Sequence, residues 1–190
     1  MEEVQDRFDF GVRYPTYSCN TNDSCRYVLG FEGSPKMLSI GLNPSVASAY
    51  VPDPTVLKTE RVVRKFGYRG FTMLNLYPGR STDFSLLPEE PDPGEYERNI
   101  TEIVRIFGQN PDADVWAAWG VSILARRYFL RAAREILEAS LEFRDLKWVH
   151  YGDLTANGHP KHASRLCYEW GFSSFYTKEY LKLLEKLVDR

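Results

Sequence analysis

Cysteine is scarce in this sequence. The 190 residues include three, Cys19, Cys25 and Cys167, with no CxxC pair. An odd, scattered set of thiols argues against a disulfide framework and a zinc ribbon. An iron–sulfur cluster would want a fourth thiolate. Long apolar runs are missing too: nothing approaches the ~18 residues of a membrane span, so no membrane partner is expected. Charge of one sign is not in excess, with 24 basic and 26 acidic residues and a net charge of −2. The chain therefore has no global electrostatic footprint for nucleic acid. Its densest basic stretch, Lys58, Arg61, Arg64, Lys65 and Arg69, reads as a solvated helix face. The opening "MEEVQDRFDF" has neither a basic n-region nor an apolar h-region, so a secretory signal is not expected and the expected location is the cytoplasm. A GxSxG nucleophile elbow and a GxxxxGK[ST] phosphate loop are both absent.

What is present is ordinary globular composition, 43% hydrophobic and 26% charged, at a length that suits one domain. Residues 1–25 read as an irregular N-terminal segment. "RYVLGF" and "MLSIGL" read as strands, Arg26–Phe31 and Met37–Leu42, joined by a turn of hairpin composition, Glu32-Gly33-Ser34-Pro35. "DPTVLKTERVVRKF" places Val56, Val62, Val63 and Phe66 at helical spacing and stops at Gly67. "FTMLNL" is a buried strand. The proline-rich "LLPEEPDPGEYER" is a surface loop, and the helix it leads into carries Ile100, Ile103, Val104 and Phe107. "ADVWAAWG" is the next strand, and one long helix from Val121 would be packed by Ile123, Leu124, Phe129, Leu130, Ile136 and Leu137. "LKWVHYG" is a fourth strand, and a last helix covers about Lys178 to Val188.

Strand and helix thus alternate four times, the pattern of an α/β layered fold with a four-stranded, mainly parallel sheet and helices on both faces. In such folds ligands sit beyond the carboxyl ends of the strands. The polar turns fall there: "NPS" after the first of these strands, Asn75 near the end of the second, "WG" closing the third, "GHPKH" after the fourth.

Asn43 offers a donor and an acceptor, Pro44 stiffens the turn, and Ser45 with the following amides can bind an anion or a water. Asn-Pro also starts ordinary turns. Asn75 lies inside an apolar strand and must either tie down a loop or face a ligand. A carboxamide can pair with a pyrimidine edge. His159 and His162 admit three readings: a surface loop, a metal site with His150 and Cys167, or a catalytic imidazole. The metal reading has no familiar spacing behind it, so no metal and no cofactor are expected. Arg80 and Asp83 in "GRSTD" either join the pocket or pair with each other at the surface, and the surface pair is the expectation.

The motifs "RYVLGF", "LSIGLNPSVASAYVPDPT", "GYRGFTMLNLYPGRSTD", "VWAAWG" and "DLTANGHPKH" in this order resemble the domain-of-unknown-function family 1643, over about Arg26 to Leu166. "HAS" stands where that family reads HPL, and Tyr77-Pro78 where Phe-Ala is commoner. More distantly, "GLNPS", "TMLN", "AAWG" and "HASRLC" are similar to the motif series of the uracil-DNA glycosylase superfamily. That resemblance implies a three-layer α/β/α sandwich with a central parallel sheet. It also implies roles: Asn43 for the attacking water, Asn75 for the pyrimidine edge, His162 for the pyrimidine O2, and Leu166 for the gap left by a flipped nucleotide. Ser45, Pro44 and Ser164 join these as substrate-binding candidates, and the matched motifs add Asp53, Thr55, Arg80, Trp119 and His159. Asn43 replaces the aspartate of the fast branch and cannot act as a base, so the implied hydrolysis is slow.

The leading expectation is a protein that binds a nucleobase, a nucleotide or a nucleic acid, DNA included, and slowly hydrolyses an N-glycosidic bond at a modified or mismatched base. One rival is a binding module that keeps the pocket without the chemistry. Another is an enzyme on free modified nucleotides or a small metabolite.

Overall fold

The computed structural model describes residues 12–188. The acidic opening segment, read above for a targeting signal, lies outside the described residues. The described chain runs β1 (Thr16–Cys19), β2 (Arg26–Phe31), β3 (Lys36–Gly41), α1 (Pro54–Lys65), β4 (Gly70–Asn75), α2 (Pro93–Gln109), β5 (Asp114–Ala117), α3 (Arg127–Ser140), β6 (Lys147–Tyr151), β7 (Phe172–Ser174) and α4 (Thr177–Val188). Among the described residues no helix is long and apolar enough to cross a membrane.

One seven-stranded sheet has the order β1-β2-β4-β3-β5-β6-β7. Its centre, β4-β3-β5-β6, is parallel throughout. Antiparallel strands β2 and β1 extend one side and β7 the other. The sheet is therefore larger than the four-stranded core and N-terminal strand read from the sequence, by the edge strands β1 and β7. Successive residues of the central strands enter opposite cores. In β5, Val115 and Ala117 pack with α2, α3 and α4, while Trp116 faces the side that α1 covers with Val56, Val62 and Val63. Burial on both faces is what makes such strands read as continuous apolar runs.

Three sequence expectations are corrected. The strands Arg26–Phe31 and Met37–Leu42 do not form a hairpin, because β4 lies between them and pairs with both. The turn strides over the start of β4: the carbonyl of Pro35 accepts from the amides of Arg69 (2.8 Å) and Gly70 (3.1 Å). Four residues suffice to span two strand spacings of about 4.8 Å each. Hairpin composition in a turn fixes its shape and leaves the pairing partner open. Second, the N-terminal segment is not irregular throughout, since Thr16–Cys19 forms a half-buried edge strand.

Third, the long helix expected from Val121 is broken. Val121–Ala125 is a 3-10 turn and Arg126 is extended, with φ −143° and ψ 137°. The Arg126 guanidinium donates to the carbonyls of Ser85 (3.0 Å), Leu87 (3.1 Å) and Pro88 (3.2 Å), which pins the break to the loop after β4. Ile123 is buried as expected, but Leu124 is 47% exposed because the turn points it outward.

Helix α2 is tied to the end of β4 by one side chain. Fully buried Asn99 donates from Nδ2 to the carbonyls of Asn75 (2.9 Å) and Leu76 (3.3 Å), where the strand has run out of ladder partners. Asn99→Ala strands those acceptors without this donor. A loss of about 1–3 kcal/mol is expected, read as a lower denaturation midpoint at unchanged m-value. A loss below ~0.5 kcal/mol, within the range of neutral surface changes, would show that the tie is incidental.

Candidate functional site

The carboxyl ends of β3, β4, β5 and β6 lie on one edge of the sheet, and their loops enclose a cavity of about 560 Å³. The turn after β3 supplies Gly41, Leu42, Asn43 and Ser45; the start of α1 supplies Asp53, Thr55 and Val56; Ser81 and Thr82 follow β4; Gly120 to Ser122 follow β5; Lys161, His162, Ser164 and Arg165 follow β6.

Asn43 holds the first two loops together. Its Nδ2 donates to the carbonyls of Pro44 (3.0 Å) and Ser81 (2.9 Å), while the Ser81 amide donates to the Pro44 carbonyl (2.9 Å). Acceptors around Nδ2 fix the orientation of the carboxamide. Its Oδ1 accepts no hydrogen bond from a described residue, in a side chain that lines the cavity. Asp53 caps α1, accepting at Oδ1 from the Val56 amide (2.8 Å), with 5% of its surface exposed.

His162 sits close behind Gly120. A Cβ on Gly120 would stand 2.7 Å from the His162 Cβ, and the glycine holds φ +73°. The backbone amide of Ser164 donates to His162 Nδ1 (3.1 Å), and the Ser164 Oγ lies 2.8 Å from the same nitrogen. An Nδ1 that accepts from an amide carries no proton, so the neutral imidazole holds its proton on Nε2. Burial lowers the His162 pKa from its usual value; the Arg165 charge adds to this and the Asp53 charge opposes it. At pH 7 the ring is neutral and a donor at Nε2. Lys58 steadies the loop by donating to the Ser164 carbonyl (3.2 Å).

The cavity thus brings together Asn43, Ser45, Asp53, Thr55, His162 and Ser164. Three further candidates stand one layer behind it. Pro44 is buried and acts through its carbonyl. Asn75 is fully buried, with Nδ2 and Oδ1 both unpartnered, and its Oδ1 lies 2.9 Å from where a Cβ on Gly41 would stand. Arg80 does not pair with Asp83 at the surface, as expected above. Its side chain is 13% exposed, it reaches Asp23 (2.9 Å) and the carbonyls of Ser45 and Ala47 (2.8 Å each), and Asp83 instead caps a 3-10 turn through the Ser85 amide.

The remaining candidates are not among the residues that line the cavity. Trp119 Nε1 donates to the Tyr180 hydroxyl (3.0 Å), which lies 2.8 Å from His159 Nδ1, and both Trp119 and His159 are buried. Leu166 packs, half-buried, against the core that α1 covers. Among the described residues no three His, Cys, Asp or Glu side chains come together as a metal site. His150 Nδ1 is engaged by the Gly152 carbonyl (2.7 Å).

The sequence reading missed Arg26, Lys161, Arg165 and Trp170, all of which line the cavity. Lys161 Nζ stands 4.3 Å from the Trp170 ring centroid. An arginine opening an otherwise apolar strand was the available signal for Arg26.

Residues 26–163 match the family described as "Protein of unknown function (DUF1643)". No curated protein and no solved structure matches the chain.

Two outcomes follow from this geometry. Gly120→Ala adds backbone strain of about 1–2 kcal/mol and pushes on His162, so the His162 ring resonances should shift in an NMR spectrum; unshifted resonances would show that the loop is held elsewhere. The lowered His162 pKa also carries a sign. The unfolded imidazole, near its ordinary ~6.5, takes up a proton before the folded one as pH falls. The contribution is therefore complete above about pH 6.5 and is lost as pH drops through the lowered folded value. The melting temperature should fall less steeply between pH 6.5 and 5 in His162→Gln than in wild type. Equal slopes would mean that His162 is solvated.

Proposed function

The chain belongs to the DUF1643 family, and from the chemistry of its cavity we propose that it binds a nucleobase or nucleotide there and slowly hydrolyses an N-glycosidic bond. The observation that carries this reading is the neutral imidazole of His162, whose Nδ1 is occupied by the Ser164 amide and whose Nε2 proton is left to donate.

N-glycosidic cleavage passes through an oxocarbenium-like sugar as negative charge builds on the departing base. A pre-oriented donor at the pyrimidine O2 stabilises that charge in a water-poor site. A neutral imidazole donates without having to give up a full charge, and His162 Nε2–H fits that role. The water that completes the reaction needs acceptors to aim it. Asn43 Oδ1 and the second carboxylate oxygen of Asp53 accept no hydrogen bond from a described residue, and both side chains line the cavity. Asn43 cannot remove a proton, which sets the expectation of slow turnover. Asn75, with both polar atoms unpartnered beneath the Gly41 that lines the cavity, supports a base-reading role.

The motif order supports the same reading. "GLNPS", "TMLN", "AAWG" and "HASRLC", similar to the series of the uracil-DNA glycosylase superfamily, follow or close β3, β4, β5 and β6. The superfamily's three-layer sandwich is part of this proposal.

Base release is measured from single-stranded and mismatched oligonucleotides carrying uracil or other altered bases, and from free nucleosides and nucleotides. Slow release is expected in wild type, falling roughly 100-fold or more in His162→Ala, the scale of losing one pre-oriented donor, with a comparable loss in Asn43→Ala. Release that survives both substitutions would place the chemistry elsewhere. Ligand binding without any release would make the protein a binding module.

A further inference from the structure

Arg26 opens β2, yet 1% of its surface is exposed. Its Nη1 donates to the carbonyl of Ala47 (3.1 Å), its Nε has no partner, and no described carboxylate forms an ion pair with it. Arg80 Nη1 donates to the same Ala47 carbonyl (2.8 Å), so two guanidinium groups converge on one neutral acceptor. Arg80 has a partner in Asp23, whereas Arg26 faces the cavity. Burial, with the Arg80 charge adding to it and the Asp53 charge opposing it, lowers Arg26 to about 10, which still leaves it protonated at neutral pH.

A buried charge persists where something pairs with it. Among the lining residues, Arg26, Lys161 and Arg165 are cations, and Asp53 is the one carboxylate that opposes them. Asp53 already accepts from the Val56 amide. The start of α1 lines the same cavity and adds the positive end of its dipole. An arginine fork with unpaired N–H groups is the geometry that carboxylates and phosphates select.

We propose that Arg26, backed by Arg80 and joined by Lys161 and Arg165, seats the terminal phosphate of a free nucleoside monophosphate. The substrate class is then a mononucleotide rather than a nucleic-acid strand. This rests on the reading of the cavity as a nucleotide site. A terminal phosphate can enter a cavity of about 560 Å³, a size ordinary for a small-ligand pocket, and reach a guanidinium that solvent hardly touches. A backbone phosphodiester brings a nucleotide on each side of it. The near-neutral overall charge agrees, because duplex binding depends on neutralising many phosphates at the surface.

The test is calorimetric titration of wild type, Arg26→Gln and Lys161→Ala with deoxyuridine, deoxyuridine monophosphate, inorganic phosphate and an oligodeoxynucleotide lacking terminal phosphates. The monophosphate should bind wild type roughly 10–100-fold tighter than the nucleoside, the range of strong charge-assisted contacts. Arg26→Gln should remove that advantage and Lys161→Ala reduce it, with nucleoside affinity unchanged in both. Should Arg26→Gln fail to fold, wild type still decides. Monophosphate affinity should rise between pH 5.5 and 7.5 as the phosphate loses its second proton, near ~6, while nucleoside affinity does not follow.

Monophosphate and nucleoside binding equally well would overturn the phosphate seat and leave the nucleotide reading standing. Inorganic phosphate binding through Arg26, with neither nucleoside nor monophosphate bound, would keep the anion seat and overturn the nucleotide reading. Arg26-dependent binding of the oligonucleotide, as tight as that of the monophosphate, would overturn the preference for a free nucleotide.

Discussion

The loops after β3, β4 and β5 take their places in the site from the parallel register of β3 between its two neighbours. Gly41 pairs with Asn75 on one side, and Ile40 with Ala117 on the other. Strands in parallel register end together, so the turn at Asn43, the loop at Ser81 and the turn at Gly120 emerge at one edge. An emerging loop leaves backbone groups without ladder partners, and each must be met in another way. Here the answers are side chains and the neighbouring loops themselves: Asn99 for the carbonyls of Asn75 and Leu76, Asn43 for those of Pro44 and Ser81, and the Pro44 carbonyl for the Ser81 amide. Of these, Asn43 and Ser81 also line the cavity, so closing the sheet's hydrogen-bond accounts shapes part of its wall.

This dual use explains which parts were legible in the sequence. The four central strands could be read because both faces of each are buried, leaving uninterrupted apolar runs such as "FTMLNL" and "ADVWAAWG". The edge strands could not. Thr16–Cys19 is half-buried along its whole length, and Phe172–Ser174 has one residue half-buried and two exposed. Neither shows the pattern that burial imprints. The turn at Glu32–Pro35 misled for a different reason, since local composition says that the chain reverses and says nothing of what passes between its arms. The break before α3 depends on carbonyls nearly forty residues upstream that hold Arg126, information no local window contains.

The candidate site divides along the same line. Asn43, Ser45, His162 and Ser164 belong to the turns after strands, and Asp53 and Thr55 to the cap and first turn of α1; polar residues at such places stand out in a sequence, and all six line the cavity. Trp119 and His159 come from equally conspicuous motifs, yet their polar atoms meet at Tyr180 on α4, a partner that only the fold reveals. Arg26 shows the converse. The signal was weak, because a cation opening a strand also reads as a solvated end; the fold instead buries it and gives it the Ala47 carbonyl as an acceptor.

Two groups in the cavity lining differ in charge. The His162 imidazole donates in its neutral form, whereas the Arg26 guanidinium keeps its charge despite burial. Asp53 acts on both, raising the proton affinity of His162 and of Arg26 against the burial that lowers it. A single carboxylate so placed can soften two desolvation costs and fully neutralise neither, because its Oδ1 is committed to the Val56 amide. Under the proposed reading, a ligand that offers a negative charge to Arg26 and a neutral acceptor to His162 Nε2 fits this lining better than a uniformly neutral or uniformly anionic one. The difference between those two groups is what would set such a ligand's orientation.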